Sequence, residues 1–226
     1  MRLPLTKYGL PQVAVFPGLI AALMAGLAVI FAPALWLVSA EAALALVLVW
    51  AFSFFRDPAR VIPKDEKVLL SPADGKVTDI TIVEDCGELG GKALRIGIFL
   101  SIFNVHINRA PCSVMVEKIT YKKGAFKNAL SAESGRVNES NDLVMTRREA
   151  PEDRLLVRQV SGAIARHIVC AAKEGAWYAQ GEKFGMIKFG SRTELYVPSS
   201  EGGRYDIAVQ IGSAVRAGLT PLVRYR

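Results

Sequence analysis

Three short segments of the chain combine residue types that can carry out chemistry, and one of them contains the step from Gly190 to Ser191. Because glycine has no side chain, a strained turn can bring the serine hydroxyl onto the preceding carbonyl. Attack there converts the amide into an ester, and β-elimination then leaves dehydroalanine, which hydrolyses to a pyruvoyl group and ammonia. The surrounding residues do not form the G-x-S-x-G pattern of an α/β-hydrolase. An ordinary β-turn is the alternative interpretation of a Gly-Ser step.

The other two segments contain Asp74 and His106. Asp74 lies in SPADGKV, where an aspartate before a glycine is typical of a turn. A carboxylate there can also orient a base or assist proton transfer. His106 lies in FLSIFNVHINRAPC and is either a buried, hydrogen-bonded core residue or an acid–base group that titrates near neutral pH. The residues alone leave both alternatives open at both positions.

The first 55 residues differ sharply in composition from the rest of the chain. Their charged residues are Arg2, Lys7 and Glu41. Residues 13–32 provide twenty mostly apolar residues, the length that crosses a hydrocarbon core of about 30 Å. A second apolar stretch follows Pro33 and predicts a helical hairpin over residues 1–55. Glu41 is expected near the far end of this hairpin, where it can reach the membrane interface.

Basic residues flank the predicted hairpin on both sides, which indicates that both of its ends face the cytoplasm. Full spanning is one interpretation. A hairpin that enters one leaflet and returns is the other, since Pro17, Gly18 and Gly26 interrupt the first apolar stretch. In either case the second domain, residues 56–226, begins at the cytoplasmic face of the cell membrane.

Residues 56–226 carry a net charge of +6 and contain several β-rich segments separated by short turns. Strands are predicted in KVLLSPADGKVTDITIVED, ALRIGIFLS, VMVEKITYKKG, NDLVMTRREA, RLLVRQV and RYDIAVQIG. PED between NDLVMTRREA and RLLVRQV predicts a hairpin, whereas SGAIARHIVCAA fits a short helix or a buried strand equally well. The predicted fold class is α+β, mostly β: a compact β-rich domain that follows the helical hairpin.

The cysteine and histidine content argues against a disulfide framework or a metal centre. The three cysteines are widely spaced and include no C-x-x-C pair, and the chain has only two histidines. A basic domain beside a membrane favours anionic lipid as its partner. Nucleic acid is not expected, because the sequence has no nucleic-acid-binding motif and no dense run of Lys or Arg.

Five segments, taken together and in order, resemble one family. FFRDPAR, SPADGKV, FLSIFNVHINRAPC, RVNESNDL and GEKFGMIKFGSRTELYVP are similar to segments of the short, membrane-associated phosphatidylserine decarboxylases of bacteria. The resemblance extends over essentially the whole chain, from the hydrophobic hairpin to the last strand.

The resemblance implies a proenzyme that cuts itself between Gly190 and Ser191. The products would be a β chain, residues 1–190, and an α chain, residues 191–226, which stay together as a heterodimer; a higher oligomer is left open. Ser191 would become a pyruvoyl group that forms a Schiff base with the serine amine of phosphatidylserine from the bilayer. Loss of carbon dioxide would then give phosphatidylethanolamine, a step of phospholipid biosynthesis that needs no metal.

The resemblance also implies roles for single residues. Longer members use an Asp of an S-P-x-D-G motif, a downstream His and the cleavage-site Ser for self-processing, and a second His three residues earlier for decarboxylation. Asp74 and Ser191 match this pattern, and His106 aligns with the earlier His, but Arg109 stands where the downstream His would be. Either His106 therefore serves both steps, or Asp74 assists Ser191 directly or through a water. His106 is expected to protonate the decarboxylated carbon.

Arg192 and Arg109 are the candidate substrate-binding residues. Arg192, beside the pyruvoyl position, can hold a phosphate or carboxylate with its planar guanidinium, although simple solvation is an equal alternative. Lys188 is expected to be a surface charge. Three other functions stay open: decarboxylation of a related serine-headed lipid such as an archaeal ether lipid, a non-catalytic membrane-anchored β module, and a membrane serine hydrolase.

Overall fold

The computed structural model describes residues 5–31, 34–163, 167–188, 190–199 and 203–226. These residues form an α+β fold that is mostly β, as the sequence predicts. The chain divides into two compact units, Met1–Ala59 and Arg60–Arg226, which are described separately.

The first unit is built from two long apolar helices. A short 3-10 turn, Lys7–Gly9, precedes helix α1 (Leu10–Phe31), and helix α2 (Leu35–Phe54) follows. The apolar stretches in α1 and α2 are each 20 residues long, with mean hydropathies of 2.5 and 2.1, and almost none of their side chains is buried. A helix that is apolar on all sides favours a lipid environment over water. Both helices are therefore long and apolar enough to cross a membrane, and the predicted turn at Pro33 lies outside the described residues.

The second unit consists mainly of strands, with one four-residue helix, α3 (Ser134–Val137), among the described residues. Its strands in chain order are β1 (Val68–Leu70), β2 (Gly75–Cys86), β3 (Gly91–Leu100), β4 (Ile107–Arg109), β5 (Val114–Lys122), β6 (Ser140–Arg147), β7 (Arg154–Val160), β8 (His167–Cys170), β9 (Trp177–Tyr178), β10 (Lys183–Lys188), β11 (Ser191–Pro198), β12 (Tyr205–Ile207), β13 (Ala214–Val215) and β14 (Pro221–Tyr225).

These strands form three antiparallel sheets within the described residues. The largest has eight strands in the order β13-β2-β3-β11-β7-β6-β5-β9, and the two smaller ones are β1-β14-β12 and β4-β10-β8. Alternate residues of the large sheet fill the main core, where burial of each large aliphatic side chain contributes about 1.5–3 kcal/mol. This core includes Leu94, Ile96, Ile98, Leu143, Met145, Leu155, Val157, Leu195 and Val197.

Most strand predictions are confirmed, including the hairpin of β6 and β7 around PED. The segment SGAIARHIVCAA, for which a helix and a strand were both predicted, forms a strand at His167–Cys170. Its residues 164–166 lie outside the described part of the chain. The prediction for RYDIAVQIG is wrong in its second half, because β12 ends at Ile207. There the backbone N–H of Ala208 donates to Leu222, and the next residues form a turn.

Strand β11 begins at Ser191 and lies inside the large sheet. It pairs with β3 on one side and β7 on the other, and it is buried over nearly its whole length. The preceding strand, β10, belongs to a different sheet, and only two residues separate β10 from β11. The Gly190–Ser191 step therefore lies where the chain crosses from one sheet to another.

Candidate active site at the Gly190–Ser191 step

The change of sheet gives the Gly190–Ser191 step an unusual local structure. Gly190 has a φ of +68°, in the left-handed region that disfavours residues with a Cβ by about 1–2 kcal/mol. Ser191 begins β11 opposite Leu100 of β3 and is fully buried. Its hydroxyl Oγ has no hydrogen-bond partner among the described residues. A buried hydroxyl without a partner is costly for stability, which points to a reactive role.

His106 directly precedes β4 and contacts Gly190, which follows β10. Its Nδ1 lies 2.9 Å from the carbonyl oxygen of Asn104, and its Nε2 lies 3.3 Å from the backbone nitrogen of Gly190. Because a carbonyl only accepts and a backbone N–H only donates, this arrangement suits the neutral imidazole with its proton on Nδ1. The Nε2 lone pair is therefore directed at the Gly190–Ser191 step. His106 is both buried and adjacent to the candidate reacting bond.

The carbonyl oxygen of Gly190 lies against the backbone of Gly162, which follows β7. A Cβ at position 162 would overlap this oxygen, so only glycine fits there without a shift. A cavity of about 230 Å³ opens on the same step. Gly190 forms part of its wall, together with mostly small or apolar side chains that include Phe99, Ile102 and Ala129.

A chain of buried amides, missed by the sequence analysis, holds the start of β11 in place. Asn108 Nδ2 donates to Thr193 Oγ1 at 3.0 Å, and Gln159 Nε2 donates to Asn108 Oδ1 at 2.9 Å. All three side chains are fully buried, and Thr193 lies on the same face of β11 as Ser191. The signal available in the sequence was a polar residue at a core-facing position of an otherwise apolar strand.

Asp74 is buried but is engaged elsewhere. Arg60 donates to both of its carboxylate oxygens, at 2.6 and 2.8 Å, and the backbone N–H of Ala217 donates to Oδ1 at 2.8 Å. The hydrogen bonds of Asp74 within the described part involve neither Ser191 nor His106. The structure thus brings His106 and Gly190–Ser191 together but does not bring Asp74 into direct contact with them.

A family model described as phosphatidylserine decarboxylase matches residues 48–222, which include every residue of the candidate site. The chain belongs to the phosphatidylserine decarboxylase family. A phosphatidylserine decarboxylase proenzyme of Carboxydothermus hydrogenoformans is 41% identical over 181 residues, 80% of this chain and 82% of that protein. Another, from Rhodopirellula baltica, is 44% identical over 173 residues, 76% of this chain and 70% of that protein.

In this family member, Arg192 lies on the opposite face of β11 from Ser191. Its guanidinium donates to Glu194 at 2.7 Å, to Thr78 at 2.8 Å and to Asp79 at 2.5 Å. Burial alone would lower the pKa of Arg192, but the two carboxylates raise it. The structure therefore places Arg192 in a buried ion network and does not bring its guanidinium to the Gly190–Ser191 step.

Arg109, the other candidate for substrate binding, is buried at the end of β4. Its Nη1 donates to the carbonyl oxygen of Gly181 at 2.9 Å, and its backbone N–H donates to Pro72 at 3.0 Å. These bonds tie the loop before β10 to the turn that contains Asp74. The described contacts thus show Arg109 joining two loops of the decarboxylase domain.

Lys188 is buried, so the prediction that it is a surface charge is wrong. It is only 4% exposed and lies opposite His167 in the small sheet, two residues before Gly190. Burial lowers the pKa of its ammonium group. Lysine is seldom buried in proteins, so the residue type alone predicts a surface position.

Proposed function

We propose that this member of the phosphatidylserine decarboxylase family cuts its own chain between Gly190 and Ser191 and converts Ser191 into a pyruvoyl group. Family membership makes the chain a decarboxylase of phosphatidylserine that yields phosphatidylethanolamine in phospholipid biosynthesis. The observation that carries the proposal is the buried, unpartnered hydroxyl of Ser191, directly after a left-handed Gly190 at the crossing between two sheets.

Self-cleavage begins when Ser191 Oγ attacks the carbonyl carbon of Gly190. The hydroxyl proton leaves to a base, the peptide C–N bond breaks, and the nitrogen of Ser191 becomes a free amine beside a new ester. Loss of the Ser191 α-proton then expels the carboxylate of Gly190 and leaves dehydroalanine at position 191. Addition of water and loss of ammonia complete the pyruvoyl group without any external oxidant or reductant.

The residues around Ser191 fit this chemistry. Asn104 holds the proton of His106 on Nδ1, so that Nε2 accepts and returns protons beside the reacting bond. A pyruvoyl group at position 191 supplies the electron sink that protein side chains lack. His106 then acts as the acid that protonates the substrate carbon after carbon dioxide has left.

Asp74 has a positioning role in this proposal. With Arg60 it clamps Ala217, since Arg60 also donates to the carbonyl oxygen of Ala217 at 2.6 Å. After the cut, Ala217 belongs to the α chain while Asp74 and Arg60 belong to the β chain. The clamp thus joins the two products close to the SPADG turn.

Replacing Asp74 and replacing Arg60 should therefore have the same effect on the rate of self-cleavage. Asp74→Asn and Arg60→Met are each expected to slow self-cleavage, and the double variant to be no slower than the worse single one, as followed by gel over time. An Arg60→Met protein that cuts at the wild-type rate beside an uncut Asp74→Asn protein would instead assign Asp74 to the chemistry of Ser191.

The α and β chains should stay associated as a heterodimer after cleavage. The α chain supplies β11 to the middle of the large sheet and β14 to the middle of a smaller one. Removal of either strand would expose backbone groups and aliphatic core residues on both sides, so dissociation is disfavoured.

The site is proposed to face the cytoplasm. The two apolar helices of the first unit can anchor the enzyme, and basic residues flank both of their ends. Protease added to inverted membrane vesicles should digest the second unit, whereas protease added to right-side-out vesicles should leave it intact. The reverse pattern would contradict the assignment.

Intact mass spectrometry of the purified protein tests the proposed cut directly. The wild type should give a fragment of residues 191–226, lighter by one ammonia than simple hydrolysis of the peptide bond would produce. Ser191→Ala should remain a single chain without activity, whereas the control Ser213→Ala, in the same fragment, should cut normally. A cleaved and active Ser191→Ala protein would rule out the pyruvoyl assignment.

A further inference from the structure

The cavity at Gly190 offers few polar partners to a lipid headgroup. Its volume is about 230 Å³. Most of its wall is apolar and comes from Phe99, Ile102, Ala129 and Ala163, while Ser101 and Asn128 are its polar residues. The charged groups of a serine headgroup would need more polar partners than this wall supplies, whereas the acyl carbons of a phospholipid need none. The cavity therefore suits the apolar side of the substrate next to the reacting bond.

Large apolar side chains are exposed on the segments that line this cavity. Phe103 is 69% exposed and directly follows Ile102 of the wall, and Leu130 is 52% exposed and directly follows Ala129. Phe126, on the same loop as Leu130, is 37% exposed. Single exposed apolar residues are normal on soluble proteins, but three on the segments around one cavity mark an interaction surface. We call Phe103, Phe126 and Leu130 the entry rim.

Basic residues alternate with the apolar ones on the loop after β5. Lys123 and Lys127 flank Phe126, both are exposed, and residues 118–130 contain no acidic residue. Lys127 forms an exposed ion pair of 3.2 Å with Glu133, which water and salt weaken. Lysine interleaved with aromatic and aliphatic residues is the pattern of a segment that lies in a membrane interface. An anionic bilayer surface complements this charge.

We propose that the entry rim dips into the surface of an anionic bilayer and that the cavity behind it guides phosphatidylserine to the Gly190–Ser191 step. The proposal rests on the proposed function, because the site must act on a lipid that cannot leave the membrane unaided. It assigns a bilayer contact to the catalytic domain itself, in addition to the apolar helices. The rim residues take no part in the chemistry.

The test compares one enzyme on two forms of the same substrate. The full chain is purified as wild type, as Phe103→Ser/Leu130→Ser and as Ile82→Ser. Ile82 is a matched control, since it is also an exposed aliphatic residue. It pairs with Leu94, six residues and about 20 Å along β3 from Leu100, the partner of Ser191. Long-chain phosphatidylserine is supplied in nanodiscs that hold the enzyme, and dihexanoyl-phosphatidylserine is supplied as soluble monomer.

The rim variant is expected to self-cleave like the wild type and to decarboxylate the soluble substrate within about twofold of the wild-type rate. On bilayer phosphatidylserine its kcat/KM should fall at least about tenfold, because fewer apolar groups hold the cavity mouth in the interface. Ile82→Ser should stay within about twofold of the wild type on both substrates. The single variant Phe103→Trp, which keeps Leu130, should retain most of the wild-type activity on bilayer phosphatidylserine, since tryptophan favours the interface.

Lys123→Glu/Lys127→Glu provides a second measurement that does not depend on the rim variant folding. It should reduce activity on bilayer phosphatidylserine at low salt, with the gap from wild type closing as salt rises, and leave the soluble substrate unaffected.

Three results would overturn the proposal. The first is that the rim variant and the lysine variant both decarboxylate bilayer phosphatidylserine at the wild-type rate. The second is that the rim variant self-cleaves normally but loses equal activity on both substrates, and the third is that only its oligomeric mass changes. The second would assign the rim to the shape of the site, and the third to contact between copies of the chain. If the wild type decarboxylates neither substrate, the proposed function fails instead.

Discussion

His106 and Gly190 are 84 positions apart in the chain, yet the imidazole Nε2 accepts the backbone N–H of Gly190 at 3.3 Å. The pairing of β4 with β10 produces this contact, because Ile107 lies opposite Met186 and carries His106 to the end of β10. The small sheet thus places the imidazole of His106 beside the step at which the chain enters the large sheet.

Replacement of His106 tests its assignment as the proton carrier. His106→Ala should lower the rate of decarboxylation about 10²–10⁴-fold, the usual effect of removing a general acid. His167→Ala is the matched control, since His167 is exposed on β8, and it should retain full activity. Carbon dioxide release from labelled phosphatidylserine measures both. A fully active His106→Ala protein would show that another group protonates the substrate carbon.

Gly162 tests whether the position of the Gly190 carbonyl governs self-cleavage. A Cβ at 162 would overlap the carbonyl oxygen of Gly190, so Gly162→Ala should shift the bond away from Ser191 Oγ and slow or prevent the cut. Gly87→Ala adds the same methyl group where no atom lies within 4 Å. The share of cut chain after expression distinguishes them, and equal cleavage of the two variants would contradict the prediction.

Arg192 should matter for stability more than for substrate binding. Arg192→Met removes the cation that Asp79 and Glu194 share, and leaves Asp79 with Arg95 and Glu194 with Tyr196. It should therefore reduce the free energy of unfolding, by no more than the about 3–5 kcal/mol that breaking a fully buried ion pair costs. Arg226→Met breaks an exposed pair with Asp206 and should change stability little. Denaturant unfolding in detergent gives both values. An unchanged midpoint for Arg192→Met, together with a raised KM, would restore the substrate-binding interpretation.

Asp79 should make the free energy of unfolding depend on pH in the acid range. Burial alone would raise its pKa, but hydrogen bonding and attraction to Arg192 lower it below the usual value. A carboxylate whose pKa is lower in the folded state stabilises the fold above its unfolded pKa, near 3.9, and this contribution is lost as pH falls through the folded pKa. The free energy of unfolding should therefore decrease below about pH 4.

The same measurement on two variants isolates this contribution. Asp79→Asn and Arg192→Met should both be less stable at pH 7, and both should lose less stability on acidification than the wild type. A variant with the wild-type acid slope would show that other carboxylates dominate the response.

The secondary structure was largely readable from the sequence because local patterns determine it. β-rich segments between short turns predicted β3, β6 and β7, and the nearly uncharged first 55 residues predicted a helical pair. RYDIAVQIG shows the limit of this reasoning, since its apolar alternation continues through residues that turn instead of pairing.

The proposed chemistry at Gly190–Ser191 is a prediction from the sequence, because a serine hydroxyl after a glycine and an ordered set of five motifs are properties of the chain alone. The groups that surround that step are known only from the folded structure. Alternation along β11 turns Arg192 away from Ser191 and toward Asp79 and Glu194. Strand pairing buries Lys188, and a salt bridge with Arg60 engages Asp74 away from the serine. The physical reason is that a strand's two faces and its partners across a sheet are set by register with distant segments, which no local pattern records.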